Sequence, residues 1–370
     1  MNTIFSQENI QSLVKAAGDL YGGFKIVERD PSKFHLIENK YTMEDANDLF
    51  NKKLIKMVSE YAGVTYNEGK LDWFTFSHPG FQHGLFNLIG IVIDAIMPKV
   101  LTSQFDMFTT VRNAAWGDKM VVEVTSPDYF AVSKVANGTT NLRRQRLDRR
   151  AVELLPEMRG VAIAESLFRI LSGKADWAQF INKVAISMAT QIKADVYTAI
   201  YDSYSVLDAT YQASGAMNAT TLVTMAEHVK AACGGLAPVI FGTTLALSKV
   251  LPATGVAGMT SMNMLDAYNE QGYLGKFRSY PCFALEQAHV PSTDTFAISD
   301  SFLIIIPMGT NKIANLGFEG EGIITTNAAS MGAGQEVDYV FTKSYDVKIL
   351  ASMKYGIYRI TWVISMVCGF

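Results

Sequence analysis

The chain has 370 residues, of which 49% are hydrophobic and only 18% charged, with a formal net charge of −3. A soluble monomer carries about a quarter charged residues, so much of this surface must face something other than water. The slight acidity argues against a protein that neutralises nucleic acid by bulk positive charge.

The N-terminus MNTIFSQENIQ has neither a basic nor an apolar leader region, so no export signal is expected. Residues 1–62 predict a helical arm. In YTMEDANDLFNKKLIKMVSEYAG, Thr42 is a candidate cap, and Glu44 and Asp45 fall in the first turn. Leu49, Phe50, Leu54, Met57, Val58 and Tyr61 then recur at helical steps until Gly63. The preceding GDLYGGFKIVERDPSKFHLIENK has no clear period and predicts an extended stretch across a surface. The most apolar run, Gly84–Leu101, contains Asp94 and Pro98 and is shorter than the ~20 residues a membrane span needs. No membrane is therefore expected, and further copies of the chain become the default cover for the apolar surface.

From Trp116 the period switches to two. WGDKMVVEVTS predicts a strand, and DYFAVSKV predicts another after the turn at Ser126–Pro127. Five arginines follow within eight residues: Arg143, Arg144, Arg146, Arg149 and Arg150. In the returning AVELLPEMRGVAIAESLF, Pro156 and Gly160 interrupt any long helix, so residues 118–165 predict a two-stranded excursion with the arginines near its far end. DWAQFINKVAISMATQIKADVYTAIYDSY, Asp176–Tyr204, has no Gly or Pro. Asp176 is placed to cap it, and Trp177, Phe180, Ile181, Val184, Met188, Ile192, Tyr197, Ile200 and Tyr204 form an apolar stripe at helical spacing. Such a helix spans about 40 Å. The C-terminal half mixes a helix near Thr221–Cys233, a buried strand APVIFG, a helix TTLALSKVL and a glycine-rich loop PATGVAGMTSMN. Strands follow in YLGKFRSYPCFALE, TFAISDSFLIIIP, KIANLGFE and VDYVFTKSYDVKILASMKYGIYRIT, before an apolar end. The pattern is a sheet flanked by helices, an α+β class.

Chemistry is sparse. His78 and His83 flank a Pro-Gly turn with no carboxylate or cysteine close by, and Cys233, Cys282 and Cys368 lack metal-ligand spacing, reading as reduced thiols. Gly317, Gly320 and Gly322 in GFEGEG, and Gly332 and Gly334 in GAG, do not form a phosphate loop and read as turns. No hydrolase or metalloprotease signature occurs. No catalytic, metal or cofactor-binding residue is assigned, and the chain is expected to be non-enzymatic. The arginines are flanked by Asp148 and Glu153, and Glu153, Glu157 and Glu165 are candidate ion-pair partners. A nucleic-acid grip usually comes with a basic domain, stacking aromatics or a basic tail, whereas this chain is slightly acidic and its tail lacks charge, so that reading is the weakest. A solvated charged tip and bidentate pairing with carboxylates on another subunit stand level, with nucleic acid a minor third reading.

The order of elements resembles the major capsid protein fold of tailed bacteriophages. The resemblance is strongest over about residues 110–362. It is carried by the loop ending at RGVAIAESLF, the helix from Asp176, the strand APVIFG and the run YLGKFRSYPCFALEQAHVPSTDTFAISDSF. It implies an N-terminal arm at 1–62 and a peripheral domain from 63–117 and 166–218, with spine helix 176–204. It also implies an extended loop at 118–165, and an axial domain at 219–362 whose last strand returns toward the peripheral domain. The arginines would then meet acidic residues of a neighbouring subunit. The Gly255–Asn263 loop, with Gly258 and Met259, would point toward the fivefold and sixfold axes. The function implied is a shell subunit forming hexamers and pentamers around double-stranded DNA, without sequence-specific binding, in a virion assembled in the host cytoplasm. Portal, scaffold and decoration proteins are the further partners implied. The stretch ahead of the fold is too short for a cleaved scaffolding segment, so a separate scaffold or none is expected. Alternatives are an encapsulin-like nanocompartment shell, a phage tail structural protein, and an enzyme whose site shows no motif.

Overall fold

The structure, a computed structural model, describes residues 7–29, 43–66, 71–105, 107–126, 128–135, 137, 144–172, 175–251, 262–309, 312–326 and 336–361. Four helices come first: α1 (Gln7–Arg29), α2 (Met43–Ala62), the short α3 (Trp73–Ser77) and α4 (Pro79–Phe105). The stretch expected to be extended is helical as far as Arg29. Gly22 sits inside α1, where a glycine costs about 0.5–1 kcal/mol relative to alanine. Burial of Leu13, Ala17 and Leu20 in the core shared with α4 and α2 outweighs that cost. Thr42 and the rest of the expected extended stretch lie outside the described residues. α2 follows the expected pattern, with Phe50, Leu54, Met57 and Val58 buried and Gly63 at φ +64° ending it, although Leu49 and Tyr61 face outward.

α4 corrects a second expectation. It is one helix of 27 residues that continues through Asp94 and Pro98. By length and composition its segment Pro79–Met97 is apolar enough to cross a membrane, but 61% of it is buried inside the molecule, as in a core helix. Asp94 is tolerated because it is paired: Lys343 Nζ lies 3.0 Å from its carboxylate, and the Gly322 amide donates to it at 2.6 Å.

The helices lie against a four-stranded sheet of β1 (Thr109–Ala114), β4 (Glu157–Ser166), β10 (Ala314–Thr326) and β11 (Glu336–Ile349), in the order β1-β10-β11-β4. β1 runs parallel to β10, and the other two pairings are antiparallel. The long helix α6 (Trp177–Asp202) packs on α4 and β11. Its cap is the expected Asp176, whose side chain accepts from the Gln179 amide at 3.0 Å. The Asn47 and Asn51 side chains of α2 also donate to Asp176, at 3.4 Å each. Ile181, Val184, Met188, Ile192, Tyr197 and Ile200 are all buried, as the stripe predicts.

A six-stranded sheet, β5-β12-β9-β6-β8-β7, forms the other layer. It comprises β5 (Gln212–Gly215), β6 (Pro238–Thr243), β7 (Lys276–Phe277), β8 (Tyr280–Leu285), β9 (Phe302–Pro307) and β12 (Gly356–Ile360). Flanking it are α7 (Ala219–Ala232), the four-residue α8 (Thr244–Leu247) and α9 (Met262–Gln271). Every residue of β6 and β9 is buried, as continuous apolar runs require. The α+β class expected from the sequence is the one observed. Residues 219–362 divide between the layers: β10 and β11 pair with β1 and β4, and β12 re-enters the six-stranded sheet.

The glycines of GFEGEG are not turns. They lie within β10, around a bulge between Glu319 and Ile323, and each admits a close neighbour. A Cβ at Gly317 would sit 2.8 Å from Leu154 Cδ1, and one at Gly322 would sit 2.6 Å from the Phe341 ring. Gly320, at φ +63°, lies under the Trp116 indole, where any side chain would collide.

Candidate intersubunit surface

The excursion is built on β2 (Met120–Thr125) and β3 (Arg149–Leu154), an antiparallel pair registered from Met120↔Leu154 to Thr125↔Arg149. β4 belongs to the four-stranded sheet, so the paired part is shorter than expected. DYFAVSKV forms no strand: residues 128–135 find no ladder partner among the described residues. Instead, Ala131 is braced across the excursion by Gln145, whose side-chain amide donates to its carbonyl and accepts from its amide, both at 2.8 Å.

The root of the excursion is tightly seated. Met120, Val122 and Leu154 form a small buried cluster, with Leu154 and Met120 against Gly317. The Leu155 amide donates to Asp346 at 2.8 Å, and Lys348 Nζ donates to the Glu153 carbonyl at 2.7 Å. Beyond the root the character reverses. Tyr129 is 72% exposed, Val132 98% and Leu147 56%, and Phe130 is also exposed. Exposed apolar side chains gathered on one segment make it a candidate for a surface that something else covers.

The arginines fall in two groups. Arg149 and Arg150 are on β3, opposite Thr125 and Val124, so they stand at the end of the ladder and not at the far tip. Arg144 and Arg146 are in the returning loop, and Arg143 lies outside the described residues. The four described arginines are exposed, and among the described residues none has an ion pair. Two candidate acids are engaged elsewhere: Glu153 pairs with Lys119 at 3.5 Å, and Glu165 with Arg169 at 3.5 Å. The arginines therefore have no carboxylate partner within their own described chain.

Of the expected axial loop, Gly255, Gly258 and Met259 lie outside the described residues, and Asn263 is in the exposed first turn of α9. Among the described residues, no group of three or more His, Cys, Asp or Glu could hold a metal. Burial pushes the Cys282 thiol up to about 12 and also raises the Cys233 thiol, the direction opposite to that of an activated thiol. A cleft of about 730 Å³ lies between α1, α4 and β10, lined by Ile10, His83, Asn87, Asp94 and Trp116 among others. Of the two carboxylates that line it, Asp94 and Glu321, Asp94 is already committed to Lys343 and the Gly322 amide.

Residues 34–358 match the model of the family described as "SPbeta prophage-derived putative capsid protein YonB". The chain belongs to this family of phage capsid proteins. The matched span of the YonB family includes the excursion, the long helix, the four-stranded sheet and the six-stranded sheet as far as the middle of β12. No curated protein matches the sequence. Among solved structures, the bacteriophage PhiM1 mature capsid is similar at 8% identity and TM-score 0.44, over 68% of this chain and 85% of that one. The capsid of cyanophage P-SCSP1u is similar at 12% identity and TM-score 0.45, over 89% and 99%. A virus-like particle from Pyrococcus furiosus is similar at 8% identity and TM-score 0.43, over 72% and 97%. These three TM-scores lie below 0.5 and carry no weight beside the family match.

Sequence reasoning missed two residues on this surface. Asp128 and Lys354 meet at 3.2 Å across most of the chain's length, and no local pattern announces such a pair.

Proposed function

We propose that this chain is the major capsid protein of a tailed phage, a structural and non-enzymatic subunit. Copies assemble into the hexamers and pentamers of an icosahedral shell that encloses double-stranded DNA. In this reading residues 118–165 reach over a neighbouring subunit, where the arginines find carboxylates and Phe130, Val132 and Leu147 find apolar cover. The single observation that supports it best is the reversal along the excursion, from a buried root to an exposed apolar and cationic outer part, in a chain of a capsid family. Each contact can be modest, because a subunit in a shell touches several others and the contacts add through multivalency. The loop 255–263 would line the capsomer axes. A portal, a scaffold and decoration proteins are the remaining partners in this reading, and the virion is its location.

The test is negative-stain microscopy with light scattering on the purified chain, expressed alone and together with the products of neighbouring genes. Closed particles of uniform diameter are expected in at least one condition. Tubes or open rings would instead make it a tail component, and monomers in every condition would sink the shell reading.

A further inference from the structure

The excursion is not free along its outer part. Just past β2, the Asp128 carboxylate meets Lys354 Nζ at 3.2 Å, and Lys354 also reaches Asp208 at 3.4 Å. Lys354 lies between β11 and β12, and its ammonium is 5.6 Å from the centre of the Tyr211 ring. Asp208 and Tyr211 lie between α6 and β5. One ammonium thus joins the excursion to the exit of the long helix and to the link between the two sheets. The Asp128 carboxylate is oriented from its own side as well: Ser126 Oγ donates to it at 3.2 Å. Its hydrogen bond and charge attraction to Lys354 hold it below the usual carboxylate range. Burial alone would lower Lys354, but Asp128 and Asp208 together raise it. The adjoining Tyr129 leans on the turn after α7, where a Cβ at Gly234 would sit 3.2 Å from its hydroxyl.

We propose that Asp128 and Lys354 form a clasp that holds the excursion on its own chain before assembly and opens when the excursion engages a second copy. This rests on the shell reading above. Two features suit a contact meant to open. The Asp128 side chain is 69% exposed and Lys354 23%, and an exposed pair shifts an equilibrium only about twofold to fivefold. Covering Phe130 and Val132 with a neighbour outweighs so small a restraint. Lys354 also keeps Asp208 when Asp128 leaves, so opening strands no partly buried charge. Hexamers and pentamers set neighbours at different angles, so a loop shared between copies must be adjustable beyond its seated strands. The clasp sits just past the end of the β2–β3 ladder, where the outer part departs from the seated strands.

The test is Asp128→Asn, read in two ways. In the unassembled chain, amide hydrogen exchange over residues 128–135 is expected to rise about twofold to fivefold at low salt, and to match the unaltered chain at high salt. In assembly followed by light scattering, the lag is expected to shorten by a similar factor at low salt. Unchanged exchange would show that no clasp exists. Faster exchange with an unchanged or longer lag would show that the contact does not restrain assembly, and would overturn the proposal. If neither the unaltered chain nor the variant forms particles with neighbouring gene products present, the shell reading fails and the regulatory role with it. The exchange measurement still reports on the clasp itself.

Discussion

The long helix α6 and the excursion carry similar residues to opposite ends. α6 buries Ile181, Val184, Ile192 and Ile200 against α4 and the four-stranded sheet, and its cap is shared with two asparagines of α2. The excursion buries only its root, and beyond Thr125 it presents Tyr129, Phe130 and Val132 to solvent beside arginines without partners among the described residues. The same contrast holds for charge. Lys343 and Asp94 are paired inside the molecule, whereas Arg144, Arg146, Arg149 and Arg150 stand outside it. One region is satisfied by its own chain, and in the shell reading the other is completed by a neighbouring copy. In that reading the low charge fraction has a cause, since part of the surface faces another copy and not water.

Changes in the satisfied region should cost stability in the unassembled chain, read by chemical denaturation. Asp94→Ala is expected to cost most, about 3–5 kcal/mol. It leaves the Lys343 ammonium nearly buried without its partner, and it removes the acceptor for the Gly322 amide in the β10 bulge. A loss below about 1 kcal/mol would mean that the ion pair is solvated and does not fix α4 on the sheet. Ile192→Ala is expected to cost about 2–5 kcal/mol, because the side chain is fully buried in the core. A small effect there would mean that α6 is not the helix around which the core forms. Tyr339→Phe works in the opposite direction. The ring sits among Phe86, Trp177 and Phe180, and its buried hydroxyl has no hydrogen-bond partner among the described residues. Deleting that oxygen is expected to be neutral or to add up to about 1 kcal/mol, and a clear loss would reveal a partner for the hydroxyl.

Where the sequence was legible, the cause of structure was local. The Asp176 cap and the α6 stripe, the buried runs of β6 and β9, and the end of α2 at Gly63 all follow from spacing alone. The failures share a different cause, a partner far along the chain. Asp94 looked like an interruption because Lys343 is distant in sequence, and the second half of α1 showed no clear period because its packing on α4 could not be seen. DYFAVSKV alternates like a strand but meets no ladder partner among the described residues, and the GFEGEG glycines are spacing for Leu154, Trp116 and Phe341 inside a strand. The excursion was legible as an excursion. What it rests on was not, and neither the Asp128–Lys354 pair nor the seating at Gly317 leaves a trace in local pattern.

The central claim is that the outer excursion serves neighbours and not the fold. Its most direct test is the double change Arg144→Glu with Arg146→Glu, with stability and assembly measured on the same preparation. Stability of the unassembled chain should stay within about 0.5 kcal/mol of the original, as for exposed positions. Closed particles should be lost or sharply reduced by microscopy and light scattering. Normal particles from this variant would contradict the account and leave the arginines as a solvated charged tip.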